Sequence, residues 1–485
     1  MTIEVSGGAG GVTARHEDIR SYAGVLDALG DEVRRWADDV AKVAVDESVI
    51  ASAVLCPVEA AAVGLAVTDA SLSMVTVSAR MEASAVVLRA SVETYALVDQ
   101  TQQQVLDALN RAGGLAFGMA LPGLALGTGL VLASNPVLVA ALGITVGRDP
   151  EAALARVQET LFENPWLLEE LTESMPWIIQ GLSTSTLGLP LTTAISGGTW
   201  PTGDYESAVA GLVNLGRLGG GFDDAGEFVP MEVGEHRGAA PTSVKGIFDQ
   251  QTSLGREGSE GQIQVARVPG PDGTSSWVVQ IPGTQDWSPV RGDNPVDLTT
   301  NVHLMAGEQT ALQEAIARAM HAAGVTKGDP VMLTGHSQGG IAAASLASDP
   351  GFREQFTVTS VVTGGSPVAR FDIPDDVSVL SLEHDQDAVP MLEGRENPDR
   401  PHWVTIERDA SDSVVLADHG YTVGAVHGTD VYSETGTLVD SSDDASVAAW
   451  RAANEQFLAG TTHGSPEVTR YTLSAAQCYA TVPGR

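Results

Sequence analysis

The spacing of apolar side chains changes twice along the chain. From Asp18 to Val45 they recur at helical intervals, as Ile19, Tyr22, Leu26, Leu29, Val33, Trp36, Val40 and Val43. A break follows at Leu55-Cys56-Pro57, because proline is excluded from a helix interior but suits a first turn. A second run, Val58 to Leu109, sets Val, Leu and Met among Ala and Ser. Residues 14 to about 110 therefore predict two helices around a short turn, an antiparallel hairpin. Residues 112–147 then carry no charged side chain and are long enough to span a bilayer, but Pro122, Pro136 and many glycines argue against one straight span. A helical hairpin packed on the rest of the protein, one or two membrane segments, and a stretch that inserts only near lipid all fit this pattern. Helical patterning returns from Pro150 to Leu187, and Gly198 to Gly258 is Gly-rich and irregular, with SAVAGLVNLG as one helix.

From Ile263 onward the period shortens. The runs IQVARV, WVVQIPG, PVMLTG, FTVTSVVTGG, VSVLSL and WVTIE are short, branched and continuously apolar, as in buried parallel strands. Helical stretches, LTTNVHLMAGEQTALQEAIARAMHAAG and GGIAAASLASD, lie between them. Strands alternating with helices predict an α/β doubly wound sheet. The expected organisation is a helical hairpin over 1–110, an apolar segment with helices over 111–200, a connector or lid-like insertion over 201–260, and a catalytic α/β domain over 261–485. A structureless loop as long as 198–258 is uncommon in a compact domain, which is why that stretch reads as functional.

Composition narrows the function classes. The chain has 485 residues, enough for two to four domains at about 100–200 residues each. Aromatics are 5% and glycines number 53, so the core must be mostly Ala, Val and Leu. With 26 basic and 62 acidic residues the net charge is −36, and no basic cluster offsets it, so nucleic acid is excluded as a partner. The two cysteines, Cys56 and Cys478, form no CxxC and so no thiolate zinc site; one long-range disulfide is open to an exported protein. The N-terminus has no basic region followed by an apolar run, so a conventional secretory signal is not expected.

The chemistry centres on VMLTGHSQGGIAAASLA. It holds Gly335-His336-Ser337-Gln338-Gly339, a GxSxG between an apolar strand and an Ala-rich helix. That setting forces the serine into a strained turn, projects its hydroxyl at the C-terminal edge of the sheet, and places it over a helix N-terminus that favours negative charge. Such a serine needs a base and an orienting acid, which follow in the order Ser, Asp or Glu, His, each after a later strand. VSVLSL ends in Glu383-His384-Asp385-Gln386-Asp387-Ala388-Val389-Pro390, which offers Asp387 as the acid, with Asp385 as the alternative. After HWVTIE two loop histidines follow, His419 and His427, and either satisfies the order. His336 reads as a packing or substrate-side residue. An oxyanion needs two preorganised N–H donors. Gln338 supplies one from its backbone; Gly283-Thr284-Gln285, after WVVQIP, supplies the other through Thr284, which also offers a hydroxyl.

The set GTQDW, GHSQGG, TGGSP and DAVP, in this order over about residues 260–440, resembles the class 3, or fungal-type, lipase family within the α/β-hydrolases. The resemblance implies an oxyanion donor at Thr284, the nucleophile at Ser337, a strand-closing Gly365-Ser366-Pro367, and the acid at Asp387. In that family the histidine precedes a tyrosine by a few residues; His427 with Tyr432 has the longer gap of related bacterial sequences and is favoured over His419 with Tyr421. The N-terminal hairpin is similar to WXG100-like substrates of type VII secretion in actinobacteria. Tyr95-Ala96-Leu97-Val98-Asp99 fits their Tyr-x-x-x-Asp pattern, while Cys56-Pro57 stands where Trp-x-Gly is expected.

These residues lead to a serine carboxylic ester hydrolase acting on a lipid or other ester, with no metal or organic cofactor. An acyltransferase using the same triad is the second reading, and a non-catalytic secreted interaction protein with a degenerate hydrolase domain is the third. The hairpin resemblance implies signal-peptide-independent export to the cell envelope or beyond and a small helical secretion partner, with a cytoplasmic location as the alternative. Residues 112–147 are the expected point of lipid contact.

Overall fold

The computed structural model of the protein describes residues 2–125 except 44 and 53–55, and residues 204–475 except 219, 225–227, 237–239, 257, 420–421 and 461–464, with a few positions between 172 and 180. Residues 126–147 of the uncharged stretch, nearly all of the helical patterning over 150–187, and Cys478 lie outside the described residues. Of residues 112–125 only the helical backbone is described. The chain divides into two compact units, Val12–Asp107 and Met1–Gly11 with Ala108–Arg485.

The first unit is the helical region. Helices Val12–Val43 and Pro57–Ala125 are joined through a short helix, Glu47–Ser52, and Pro57 takes the first position of its helix, where its missing N–H costs nothing. The two long helices run antiparallel, with Asp27 paired to Arg89, Arg34 to Glu82, and the Ser71 hydroxyl donating to the Ala37 carbonyl at 3.0 Å. Their seam is built from small buried residues, Ala23, Ala37, Ser78 and Ala85. Tyr22, Leu29, Trp36, Leu65 and Leu72, which carry the apolar period, are exposed. The stretch Pro57–Ala90 is long and apolar enough to cross a membrane, by length and composition, and its most apolar window is unburied. Cys56 is a free, exposed thiol.

The second unit is an α/β fold around a mixed sheet. Its strands are β1 (Glu4–Gly7), β2 (Phe228–His236), β3 (Gln262–Pro269), β4 (Ser275–Ile281), β5 (Pro330–His336), β6 (Thr357–Gly364), β7 (Ser378–His384), β8 (Trp403–Arg408) and β9 (Glu467–Ala475). They pair in the order β1-β8-β7-β6-β5-β4-β3-β9-β2. The run β4 to β8 is parallel throughout, which brings the loops after β4, β5, β6 and β7 to one edge. One face packs Leu312, Ile316, Met320, Ile341 and Leu346 of helices Ala311–Ala323 and Gln338–Ser348 against Val279, Leu333 and Val361. The other packs Phe248, Tyr432, Trp450 and Phe457 against Met332, Val362, Leu380 and Val404.

Several elements differ from the sequence expectation. IQVARV is not parallel: β3 pairs antiparallel with β4 because a turn at Pro271–Gly273 reverses the chain over too few residues for a crossover. The strands β1, β2 and β9 escaped the apolar pattern; each pairs antiparallel on an outer part of the sheet. The stretch 198–258, expected to be irregular apart from the SAVAGLVNLG helix, holds that helix as Tyr205–Leu218 and, beyond the expectation, strand β2 and helix Val244–Leu254. The long pattern after residue 297 splits into helices Leu298–Met305 and Ala311–Ala323, the second started by a capping box between Thr310 and Gln313.

Leu333 is 0% exposed in the central strand, whereas Leu65 is 74% exposed. Leu333→Ala is expected to destabilise the sheet by about 2–5 kcal/mol, and Leu65→Ala to change stability by less than about 0.5 kcal/mol. Denaturant unfolding of the two variants checks this; similar costs would mean that Leu65 is covered in solution.

Candidate active site

The strand β5 ends at His336 and the next helix begins at Gln338, so Ser337 alone makes the turn, at φ 55° and ψ −125°. A non-glycine residue is strained there and must be held by its surroundings. The glycines on either side allow that hold. A Cβ on Gly335 would lie 2.0 Å from the carbonyl carbon of Gly339, and one on Gly339 would lie 2.0 Å from the Ile281 oxygen. The strand, the helix and the end of β4 therefore meet backbone to backbone. The Ser337 N–H donates to the Gly364 carbonyl at 3.0 Å, which ties the turn to β6.

Asp387 lies in the turn after β7 and is wholly buried. Its Oδ2 accepts from His427 Nδ1 and from the Tyr432 hydroxyl, both at 2.7 Å, and its Oδ1 accepts from the Val389 N–H at 2.9 Å. Burial pushes this carboxyl up, but the facing His427 and the three donors outweigh it and hold Asp387 below the ordinary carboxylate range. His427 precedes helix Thr429–Asp440, and that helix delivers Tyr432. Gly365, at φ +61°, lies against the pair: a Cβ there would come within 3.0 Å of both Asp387 Oδ2 and His427 Nδ1.

Two further imidazoles enclose this group. His336 Nε2 meets the His427 carbonyl at 2.7 Å, and the two rings lie 4.5 Å apart. His384 stacks on Tyr432 at 3.9 Å. Burial, with His427 nearby, pushes His336 down to about 3, and burial pushes His384 down to about 4. Both are neutral at pH 7, so His336 donates from Nε2 to the His427 carbonyl and fixes the loop that carries His427.

The loop expected to supply an oxyanion donor follows β4. The Cβ position of Gly283 is 3.2 Å from Ser337 Cβ, so Thr284 begins beside the serine. Among the described residues, neither the Thr284 nor the Gln338 backbone N–H has a partner within the protein. The loop is pinned by the Gln285 N–H to the Val296 carbonyl at 2.9 Å and by Gln285 Nε2 to the Leu254 carbonyl at 3.1 Å.

The structure thus brings Ser337, His427, Asp387, Thr284 and Gln338 to one edge of the sheet. Asp385 is exposed on its turn. His419 ends helix Val414–His419, and its side chain lies outside the described residues, as do those of Tyr95 to Asp99 and Tyr421. Sequence reading missed two contacts. Tyr432 entered only as a spacing marker, yet it donates to Asp387; Asn301, which donates from Nδ2 to Thr284 Oγ1 at 2.7 Å, carried no signal. Among the described residues no group of three or more His, Cys, Asp or Glu could hold a metal ion.

The neutral histidines make stability pH-dependent. An unfolded imidazole titrates near 6.5, above the folded values of about 3 and about 4, so the unfolded chain binds more protons below that point. Stability is expected in full above pH 6.5 and to fall as pH drops from about 6.5 to about 4 for His384 and to about 3 for His336, by at most ~1.4 kcal/mol per pH unit for each histidine. Denaturant unfolding followed by tryptophan fluorescence at pH 7, 6 and 5 measures the slope, and His384→Gln should flatten it. Parallel slopes for variant and wild type would remove His384 as a source.

Neither the comparison with curated proteins nor that with solved structures finds a match. Residues 295–458 match the family model described as "PGAP1-like alpha/beta domain", about a third of the chain. The matched segment carries Ser337, Asp387 and His427 and begins after Thr284. Over this segment the chain is similar to PGAP1-like alpha/beta domains.

Proposed function

We propose that the protein is a serine carboxylic ester hydrolase that acts on a lipid or other ester through Ser337, His427 and Asp387. The observation that carries this reading is the 2.7 Å contact of His427 Nδ1 with a buried, ionised Asp387, beside a serine held in a strained strand-to-helix turn. Held by Asp387, His427 keeps its proton on Nδ1 and presents Nε2 as a base. Ser337 Oγ loses its proton to Nε2 and attacks the ester carbonyl carbon. The carbonyl oxygen becomes an oxyanion between the N–H groups of Thr284 and Gln338. Collapse breaks the C–O bond, and His427 returns the proton to the leaving alcohol. Water, deprotonated by the same base, then attacks the acyl-enzyme and releases the acid. Asp387 stabilises the imidazolium in both halves.

The class 3 lipase-like motifs support the same assignment, since GTQDW, GHSQGG, TGGSP and DAVP fall on the loops that surround Ser337. The likeness of residues 295–458 to PGAP1-like alpha/beta domains agrees with ester chemistry. The stretch Pro57–Ala90, whose most apolar window is unburied, supports a membrane or envelope association. In this reading residues 1–110 serve as a helical module, 201–260 as the connector and lid-like insertion, and 261–485 as the catalytic part. Export by a type VII-like route rests on the Tyr95 to Asp99 pattern alone.

Hydrolysis of p-nitrophenyl esters of graded acyl length tests the reading. Ser337→Ala and His427→Ala are each expected to lower kcat by about 1,000-fold or more, and Asp387→Asn by a similar factor, with His419→Ala near wild type. Turnover that survives Ser337→Ala, or that depends on His419 instead of His427, would overturn the assignment; the length profile separates esterase from lipase.

A further inference from the structure

We infer that Asn301 is a positioning residue that directs the Thr284 hydroxyl proton toward the oxyanion, so that Thr284 contributes two donors. This rests on the proposed roles of Ser337 and Thr284 in ester hydrolysis.

The argument starts from what a hydroxyl can do. Thr284 Oγ1 has one proton and two lone pairs. Asn301 Nδ2 lies 2.7 Å from Oγ1 and can only donate, so it occupies a lone pair and leaves the Thr284 proton for another acceptor. Among the described residues no acceptor for that proton is found, and Thr284 is only half-buried. Its neighbour Gly283 packs on Ser337, which places the hydroxyl on the loop that faces the reacting carbonyl. An acceptor that forms only during the reaction suits a donor with no ground-state partner.

The anchor of this contact is itself fixed. Asn301 sits in the second turn of helix Leu298–Met305, whose N-terminus is capped by the Asp297 carboxylate accepting from the Thr300 N–H at 2.8 Å. The Asp297 carbonyl accepts from the Asn301 N–H at 3.2 Å and from Gln338 Nε2. Thr284 and Gln338, the two oxyanion residues, are therefore tethered to the same few residues of one helix. A shift of that helix moves both donors together.

The opposite orientation of the amide, with Oδ1 accepting the Thr284 proton, predicts the reverse behaviour, and isosteric substitution separates the two. Asn301→Asp offers only acceptors. It is expected to capture the Thr284 proton and lower kcat by about 100-fold with KM within about two-fold, the range set by loss of one oxyanion donor. Asn301→Ala leaves the hydroxyl free to rotate and should cost about 10-fold. In a Thr284→Val background Asn301→Ala should cost less than two-fold, because no hydroxyl remains to position. Thr284→Ser should restore the dependence on Asn301. All variants are read by ester turnover and by the rate of fluorophosphonate labelling of Ser337, with melting temperature as the folding check. Equal losses for Asn301→Ala in the two backgrounds, or wild-type kcat for Asn301→Asp, would overturn the positioning role while Ser337-dependent turnover stands. A wild-type protein that neither hydrolyses esters nor labels at Ser337 would overturn the proposed function itself, and this role with it.

Discussion

A carboxylate taken wholly out of water is tolerated only when its oxygens are met by donors, since an unpaired buried charge costs several kcal/mol. Asp387 is such a group, and the edge of the sheet is arranged around it. Its partners come from three places: the Val389 N–H from its own turn, His427 from the loop before helix Thr429–Asp440, and the Tyr432 hydroxyl from that helix. The helix must therefore dock for the acid to ionise, and docking stacks Tyr432 on His384 at the end of β7. His427 is in turn fixed through its carbonyl by His336, the residue before the serine. Ser337 itself is tied to β6 by its N–H. The proposed base, acid and nucleophile thus share one set of contacts, and loss of the central carboxylate would loosen all of them.

Much of this edge was legible in the sequence because it is local. The GxSxG between an apolar strand and an Ala-rich helix states its own geometry, and the clash distances at Gly335 and Gly339 show why no side chain is admissible there. Acidic residues at the end of the following strand are also a local signal. The preference between His419 and His427 was different. Both follow β8 in sequence and spacing does not separate them, so resemblance had to supply the preference; in the structure His427 meets Asp387, while the side chain of His419 lies outside the described residues. Asn301 was out of reach for the same reason: it meets Thr284 across a loop that returns through the Gln285 to Val296 contact, and an asparagine within a helix has no marker in a linear pattern.

The fold shows a similar division. Central strands buried on both faces announce themselves as continuous apolar runs. The outer strands do not. The last strand, EVTRYTLSA, alternates polar and apolar residues, and the first, EVSG, is too short to register. Helix Val244–Leu254 was hidden because part of its buried surface is polar. Gln250 meets Gln264, Gln264 meets Gln280, Gln280 donates to the Ile247 carbonyl, and Arg470 of β9 joins at Gln264. A network of buried amides reads as surface until its partners are known. In the helical unit the apolar period matches a helix, but the seam uses Ala and Ser, with Ile19, Leu26, Val33 and Val40 half-buried and Tyr22, Leu29 and Trp36 exposed.

The charge of the protein bears on why the site is built from dipoles. At −36 the surface field opposes the oxyanion of the proposed reaction. No cation is among the groups arranged about Ser337 in the described structure; the donors are backbone N–H groups and a hydroxyl, and the imidazoles beside the base are held neutral. Surface charges act through solvent and fade over a Debye length of about 8 Å at physiological salt, whereas an N–H aimed at an oxyanion acts at about 3 Å in a site with little water. Short-range dipoles therefore outweigh the acidic surface without needing a charge of their own. A neutral His336 serves the same end, because an imidazolium 4.5 Å from His427 would oppose the proton that the proposed reaction brings to His427 from Ser337. The burial that keeps His336 neutral and the packing of its ring on His427 are one arrangement, which gives the proposed base its position and preserves its capacity to accept that proton.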